Sequence, residues 1–270
     1  MEKSNIDEKI KLLTGSGMWH TQEMEGLPSV HLSDGPHGLR KQEEKERQNN
    51  VSLVSTCYPT ASALACSWDV TAAERLGRAV AKEAWNADVA VLLGPGINMK
   101  RSPLCGRNFE YFSEDPFLAG RLGAAYVSAA QGEDVAVSLK HFAANNQETN
   151  RQTANSQIDE RALREIYLSA FEYVVKTARP ATIMASYNRL NGYYACENRH
   201  LLTEILREEW GFDGVVISDW GACADLAKAV KAGMDLEMPD SHGIHARKLK
   251  AALKAGEISE EDIAKAAGRI

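Results

Sequence analysis

The sequence predicts an α/β fold of the (β/α)8-type TIM barrel, on three observations. Short apolar runs alternate with helix-length amphipathic segments about seven times along the chain. The runs are rich in Val, Ile, Leu and Ala with little polar alternation, as strands buried on both faces are. The length, 270 residues, suits a single barrel, which typically takes ~250. Seven strand candidates fall one short of eight, so one strand is expected to be short, irregular or missing. The chain reads as one domain over 1–270 that stops inside its last helix, at Gly268-Arg269-Ile270, and is therefore expected to be truncated.

The strand candidates are Ser29–Ser33, Ala61–Cys66, Val89–Leu93, Val135–Leu139, Ala181–Ala185, Gly214–Ser218 and Met234–Glu237. Between them, Thr71–Asn86 reads as a helix capped by Asp69. Pro116–Gln131 follows Asp115, with Pro at its first position and Gly132 at its end. Asp159–Thr177 carries Leu163, Ile166, Ala170 and Val174 on one face and is closed by Pro180. Further helices are expected over about Asn198–Trp210, Ala222–Ala232 and Ile244–Ala255, and Ser259 with Asp262 opens a last one as a capping box. The charged stretch Lys41–Asn50 reads as a solvated loop.

Composition narrows the function classes. Lys+Arg at 31 against Asp+Glu at 37 gives a net charge of −6, no electrostatic footprint for nucleic acid or an anionic membrane. No apolar run reaches the ~18 residues of a membrane span, and the opening MEKSNIDEKIKLLTG lacks the apolar core of a signal peptide. Five widely spaced cysteines without a CxxC pattern fit free thiols in a reducing compartment, so a cytoplasmic location is expected.

In barrels, chemistry gathers at the carboxyl ends of the strands. Here the first run ends in Asp34 and GPHGLR, the fourth in Lys140-His141, the fifth in Ser186-Tyr187-Asn188 and the sixth in Ser218-Asp219-Trp220. The seventh carries Asp235, Glu237 and Asp240. Asp219 follows the apolar run GVVIS, so its carboxylate would sit half-buried at the barrel mouth beside Trp220, whose indole suits stacking on a sugar ring. That pairing suits glycoside chemistry; the alternative is an Asp that caps the following helix. Lys140 and His141 either bind substrate or make internal contacts. For both to face one ligand, the strand must be irregular at 140–142, because adjacent strand side chains point to opposite faces. Asp34 is either functional or a turn-former. Arg107, Arg151 and Tyr187 are each open between ligand contact and surface. His242-x-x-His245 beside Asp240 has marginal metal spacing without the three or four converging ligands of zinc, so neither metal nor cofactor is expected.

At these strand ends the sequence resembles the barrel domain of glycoside hydrolase family 3, in its bacterial β-glucosidase branch. The motifs are LSDGPHGLR at 32–40, CYPTASALACSWD at 57–69, LLGPGINMKRSPLCGRNFEYFSEDP at 92–116, LKHFAANNQETNR at 139–151, ERALREIY at 160–167, MASYNRLNG at 184–192 and WGFDGVVISDWGA at 210–222. The resemblance implies that Asp219 is the nucleophile, forming a covalent glycosyl-enzyme with net retention. It implies that Asp34, Arg40, Arg107, Lys140, His141 and Arg151 bind sugar hydroxyls, that Tyr187 lines the same subsite and that Trp220 walls it. Convergence of Lys140, Arg107 and Arg151 would hold the Asp219 pKa down.

A retaining glycosidase also needs an acid/base carboxyl ~5–5.5 Å from the nucleophile. The resemblance places it in a following α/β sandwich domain, expected to lie outside these 270 residues. The N-acetylhexosaminidase branch carries a His after its Lys-His pair, and no histidine follows His141 in KHFAANNQETNR. Glu148 is the carboxylate candidate in that stretch. The expected activity is therefore exo-hydrolysis of terminal non-reducing β-D-glucosyl residues from oligosaccharides or aryl glycosides. Related β-xylosidase or β-galactosidase specificity, or a catalytically incomplete sugar-binding fragment, are the alternatives.

Overall fold

The structure, a computed structural model, describes residues 5–42 and 51–270. In chain order the elements are α1 (Ile6–Leu12), β1 (Leu32–Asp34), α2 (Ala61–Ala65), α3 (Val70–Asn86), β2 (Val91–Leu93), α4 (Pro116–Gln131) and β3 (Ala136–Phe142). There follow β4 (Asn155–Ser156), α5 (Glu160–Ala162), α6 (Ser169–Ala178), β5 (Thr182–Ala185), β6 (Arg189–Leu190) and β7 (Tyr193–Tyr194). After a ten-residue π-type helical segment, His200–Glu209, in place of the helix expected over about Asn198–Trp210, the last are β8 (Val215–Ser218), α7 (Leu226–Ala232), α8 (Ile244–Lys254) and α9 (Glu260–Ala267).

Strands β1, β2, β3, β5 and β8 form one parallel sheet in that order. Leu32 pairs with Val91, Val91 with Ala136, Ser138 with Thr182 and Ile183 with Val216. The two-residue period of the strands divides their apolar side chains. Leu32, Val91, Leu93, Met184 and Ile217 gather with Leu236 and Met238 on one face. Leu92, Val137, Leu139, Ile183 and Val216 join the larger core beneath the helices. Burial on both faces explains why the strands read as unbroken apolar runs.

Beyond β8 the backbone pairing thins to single contacts. Leu236 bridges Ile217, Glu237 bridges Thr14, and the Leu32 N–H donates to the Trp19 carbonyl at 2.8 Å. The expected strand Met234–Glu237 is thus a pair of bridges, and no closed eight-stranded barrel is detected among the described residues. Pro239 has no N–H to offer, and the contacts resume beyond it, with the Asp240 N–H donating to the Gly17 carbonyl at 3.1 Å and the Gly221 N–H to the Met238 carbonyl at 2.9 Å.

Helix termini follow the expected capping chemistry. Asp69 accepts from the Thr71 N–H at 2.8 Å, Asp115 from the Phe117 N–H at 3.0 Å, and Ser259 with Asp262 forms a capping box. The expected strand Ala61–Cys66 is instead helix α2. Its Ala-rich run has no β-branched residue, and Thr60 caps it by accepting from the Ala63 N–H. Ser29–Ser33 becomes a strand only from Leu32, because Ser29 and Val30 hydrogen-bond to Thr21. The helix expected over Asp159–Thr177 is divided: the Leu168 N–H reaches the Leu163 carbonyl, a five-residue bond that widens the turn between α5 and α6. The helix expected from Ala222 begins only at Leu226, with Asp225 as its cap. The sequence reading did not anticipate α1, which opens with an Asn5–Glu8 capping box. Of the stretch Lys41–Asn50, residues 43–50 lie outside the described residues. Among the described residues no helix is long and apolar enough to cross a membrane.

Candidate active site

All nine residues singled out from the sequence line one cavity of about 330 Å³ at the carboxyl ends of the parallel strands: Asp34, Arg40, Arg107, Lys140, His141, Arg151, Tyr187, Asp219 and Trp220. Trp19, Leu93 and Met184 complete the lining. Leu93 and Met184 belong to the inward apolar cluster and carry no polar signal. Trp19 lies before the first strand, where nothing in the sequence marks it. Its ring meets that of Trp220 with centroids 5.1 Å apart.

β3 delivers Lys140 and His141 to the same cavity through an irregular end. Its register against β5 shifts between Leu139 and Phe142, and the Lys140–His141 and Phe142–Ala143 peptides are cis. Asn98 brackets this segment, accepting from the His141 N–H at 2.7 Å and donating to its carbonyl at 2.8 Å. The irregularity expected at 140–142 is present.

Asp219 is not a helix cap. Asp225 takes that task, accepting from the Ala227 and Lys228 N–H groups. Asp219 Oδ1 instead accepts from the Trp220 N–H at 2.7 Å. Its Oδ2 is buried, has no hydrogen-bond partner and lies 3.8 Å from His141 Nε2. Burial raises the Asp219 pKa; Arg107, the Trp220 N–H and Lys140 oppose this, yet the net position is above the ordinary carboxylate value. The expectation of a depressed pKa is corrected here: desolvation outweighs the converging cations.

The cations are themselves compensated. Lys140 Nζ donates to Asp34 Oδ1 at 2.7 Å and lies 3.9 Å from Glu110 Oε2. Arg107 Nε donates to Glu110 Oε1, a buried carboxylate outside the cavity lining that the sequence reading missed. Burial would raise Asp34, but Lys140 and Arg107 leave it below its ordinary value. His141 is pushed well below its ordinary value by burial and by Arg107, Lys140 and Arg151. Tyr111 Oη lies 3.0 Å from His141 Nδ1.

Arg151 packs its guanidinium over the Tyr187 ring at 4.3 Å and donates to Glu148 at 2.8 Å. The Tyr187 hydroxyl donates to the Trp220 carbonyl at 2.8 Å. Glu148 does not line the cavity; Arg151 and Asn145 occupy its carboxylate. Arg40 stands exposed at the rim, its N–H bonded to the Asp34 carbonyl at 2.8 Å.

These features define an α/β domain whose parallel strands carry a polar, indole-walled pocket with two carboxylates and several cations at their carboxyl ends. The sequence pattern described as "Glycosyl hydrolase family 3 N terminal domain" matches residues 36–270, and the chain belongs to that family. It is 51% identical to thermostable beta-glucosidase B of Acetivibrio thermocellus over 100% of this chain and 36% of that protein. It is 50% identical to an exo-alpha-(1->6)-L-arabinopyranosidase of Bifidobacterium longum over 88% of this chain and 32% of that protein. Among solved structures, beta-glucosidase 3B from Thermotoga neapolitana in complex with alpha-D-glucose superposes with a TM-score of 0.95 at 39% identity, over 100% of this chain and 41% of that one. The chain thus spans well under half the length of these relatives.

Proposed function

We propose that this chain is the nucleophile-bearing domain of a retaining, exo-acting β-glucosidase, and that its sheet curls into a (β/α)8-type barrel about the cavity. The observation that carries the reading is the inequivalence of the two Asp219 oxygens, one bonded to the Trp220 N–H and one facing the cavity without a partner. In this reading Oδ2 attacks the anomeric carbon of a terminal β-D-glucosyl residue and the glycosidic C–O bond breaks. The departing oxygen takes a proton from a general acid. Water, giving its proton to the same group, then displaces Asp219 and restores the configuration. Asp34, Arg40, Arg107, Lys140, His141 and Arg151 bind the sugar hydroxyls, with Tyr187 and Trp220 as walls.

The acid/base comes from outside these residues. Among the described residues lining the cavity, the second carboxylate is Asp34, and Lys140 and Arg107 favour its ionised form. A following α/β sandwich domain is the proposed source, in keeping with the 36% of the Acetivibrio protein that the chain covers. The arabinopyranosidase relative favours a second reading, in which the pocket takes a pentopyranoside or a galactose-like epimer. The five free thiols support placing the chain in the cytoplasm.

The test is denaturing mass spectrometry after incubation with 2-deoxy-2-fluoro glycosides of glucose, xylose, galactose and L-arabinopyranose bearing good leaving groups. A glucosyl adduct mapping to Asp219 and absent from Asp219→Ala is expected. A dominant adduct from another sugar selects the second reading. No adduct on chain that is folded by circular dichroism makes these residues a sugar-binding fragment only.

A further inference from the structure

Outside the cavity, three side chains from separate elements converge on one point. Cys223 lies in the turn between β8 and α7, Glu237 in the segment bridged to Thr14, and His245 in the first turn of α8. One ligand atom from each lies within 4.8 Å of the other two. Cys223 and Glu237 are buried, and His245 is partly open to solvent. Glu237 Oε1 is bonded to His245 Nδ1, whereas Glu237 Oε2 is buried with no hydrogen-bond partner. An orphaned buried carboxylate oxygen is costly and calls for a ligand or ion.

The geometry points to a binding site for one zinc-class divalent cation, held by Cys223 Sγ, the Glu237 carboxylate and the His245 imidazole. A thiolate, an imidazole and a carboxylate are a zinc donor set, and three protein ligands leave a fourth tetrahedral position for water. With bonds of ~2.0–2.3 Å, tetrahedral ligand atoms stand roughly 3.3–3.8 Å apart, so the widest of the separations, at most 4.8 Å, closes by about an ångström and the Glu237–His245 hydrogen bond opens as both groups turn to the cation. His245, at a helix start whose N–H is held by Ser241 Oγ at 3.1 Å, can supply that movement through its side chain. Binding replaces the S–H bond with a metal–sulfur bond and releases the thiol proton to solvent. His242, the other histidine of the HxxH pattern, is exposed and stands outside the cluster. The site is independent of the glycosidase reading, because none of its ligands lines the cavity.

Titration of the full chain with Co(II), followed by back-titration with Zn(II), tests this directly. One equivalent of Co(II) is expected to produce a near-ultraviolet thiolate-to-metal charge-transfer band and tetrahedral visible bands that Zn(II) abolishes. Cys223→Ser should remove the charge-transfer band, and His245→Ala and Glu237→Gln should weaken binding by at least ~10-fold. If Glu237→Gln does not fold by circular dichroism, Cys223→Ser and His245→Ala decide. Cys57 and Cys66 are exposed thiols, so Cys57→Ser/Cys66→Ser is the control and should leave the band unchanged. A band that survives Cys223→Ser and disappears in that double variant overturns the proposal, as does wild-type chain that gives no band.

Discussion

Arg107 Nη2 meets His141 Nε2 at 2.7 Å, and this contact fixes the tautomer of the imidazole. A guanidinium can only donate, so Nε2 accepts and the proton resides on Nδ1, where Tyr111 Oη is the acceptor. His141 therefore faces Asp219 as a neutral ring. Nitrogen-15 NMR of the imidazole should report the Nδ1–H tautomer at neutral pH, with protonation beginning only well below the ordinary histidine range. A protonation midpoint at or above the ordinary histidine value would contradict the assignment.

The raised Asp219 pKa sets an acid limb. Labelling by a fluoro glycoside needs the carboxylate ionised, so its rate should fall with decreasing pH through a midpoint above the ~3.9 of a free aspartate. Arg107 is the strongest influence holding that pKa down against burial. Arg107→Met should move the midpoint further up, whatever it does to the rate. The same shift has a stability sign: a pKa raised by folding makes ionisation destabilising. Asp219→Asn should raise the Tm at neutral pH, and the gain should vanish as pH falls below the unfolded-state pKa. An unchanged midpoint in Arg107→Met would show that the guanidinium does not act on Asp219.

Asp219 and Asp225 separate function from capping within one short segment. Asp225→Ala should cost ~1 kcal/mol of stability through loss of the α7 cap and leave labelling intact. Asp219→Ala should abolish labelling with no loss of α7. Urea unfolding and adduct mass spectrometry on the two variants distinguish these outcomes from a shared structural role.

Glu110 is a positioning residue, buried and bonded to Arg107 with Lys140 at 3.9 Å. Removing one partner of a buried pair leaves an uncompensated charge, so Glu110→Ala should destabilise by ~3 kcal/mol. Glu110→Gln should fold better and weaken labelling, because it no longer anchors the guanidinium as an ion pair. Labelling at the wild-type rate in Glu110→Gln would remove it from the site's support.

Trp19 extends the indole wall begun by Trp220. Its Nε1–H is held by Gln42 at 3.0 Å, so the ring is placed before a ligand arrives. Trp19→Ala should raise the dissociation constant for glucose about 10-fold, with a smaller loss from Trp19→Phe. Calorimetric titration that gives equal affinity for both variants and wild type would take Trp19 out of the binding surface.

The cavity was legible because its polar members stand where apolar runs stop. Asp34, Lys140, Tyr187 and Asp219 each interrupt or follow a buried strand, so position along the chain reported position in space. Leu93 and Met184 were invisible for the opposite reason: their inward direction depends on a two-residue phase within runs that are apolar on both faces. Glu110 was hidden inside a loop motif, because charge compensation outside the cavity lining leaves no spacing pattern. The Ala61–Cys66 run failed as a strand because a short apolar run fits either period, and Thr60 with alanine propensity decided for the helix. Asp219 and Asp225 both precede a helical stretch, and the cap could be assigned only once the chain's turn at 219–225 was known.

The salt bridge between Lys140 and Asp34 closes a span of 106 residues, and the cavity as a whole draws on side chains from Trp19 to Trp220. Contacts of such high sequence separation carry a large loop-closure entropy cost. β1, β2, β3 and β5 each carry a lining residue and β8 leads into Asp219, so opening any one of these strands removes part of the cavity wall. A ligand that binds only the assembled cavity should therefore slow hydrogen exchange at the most protected amides of the sheet as well as at the pocket rim.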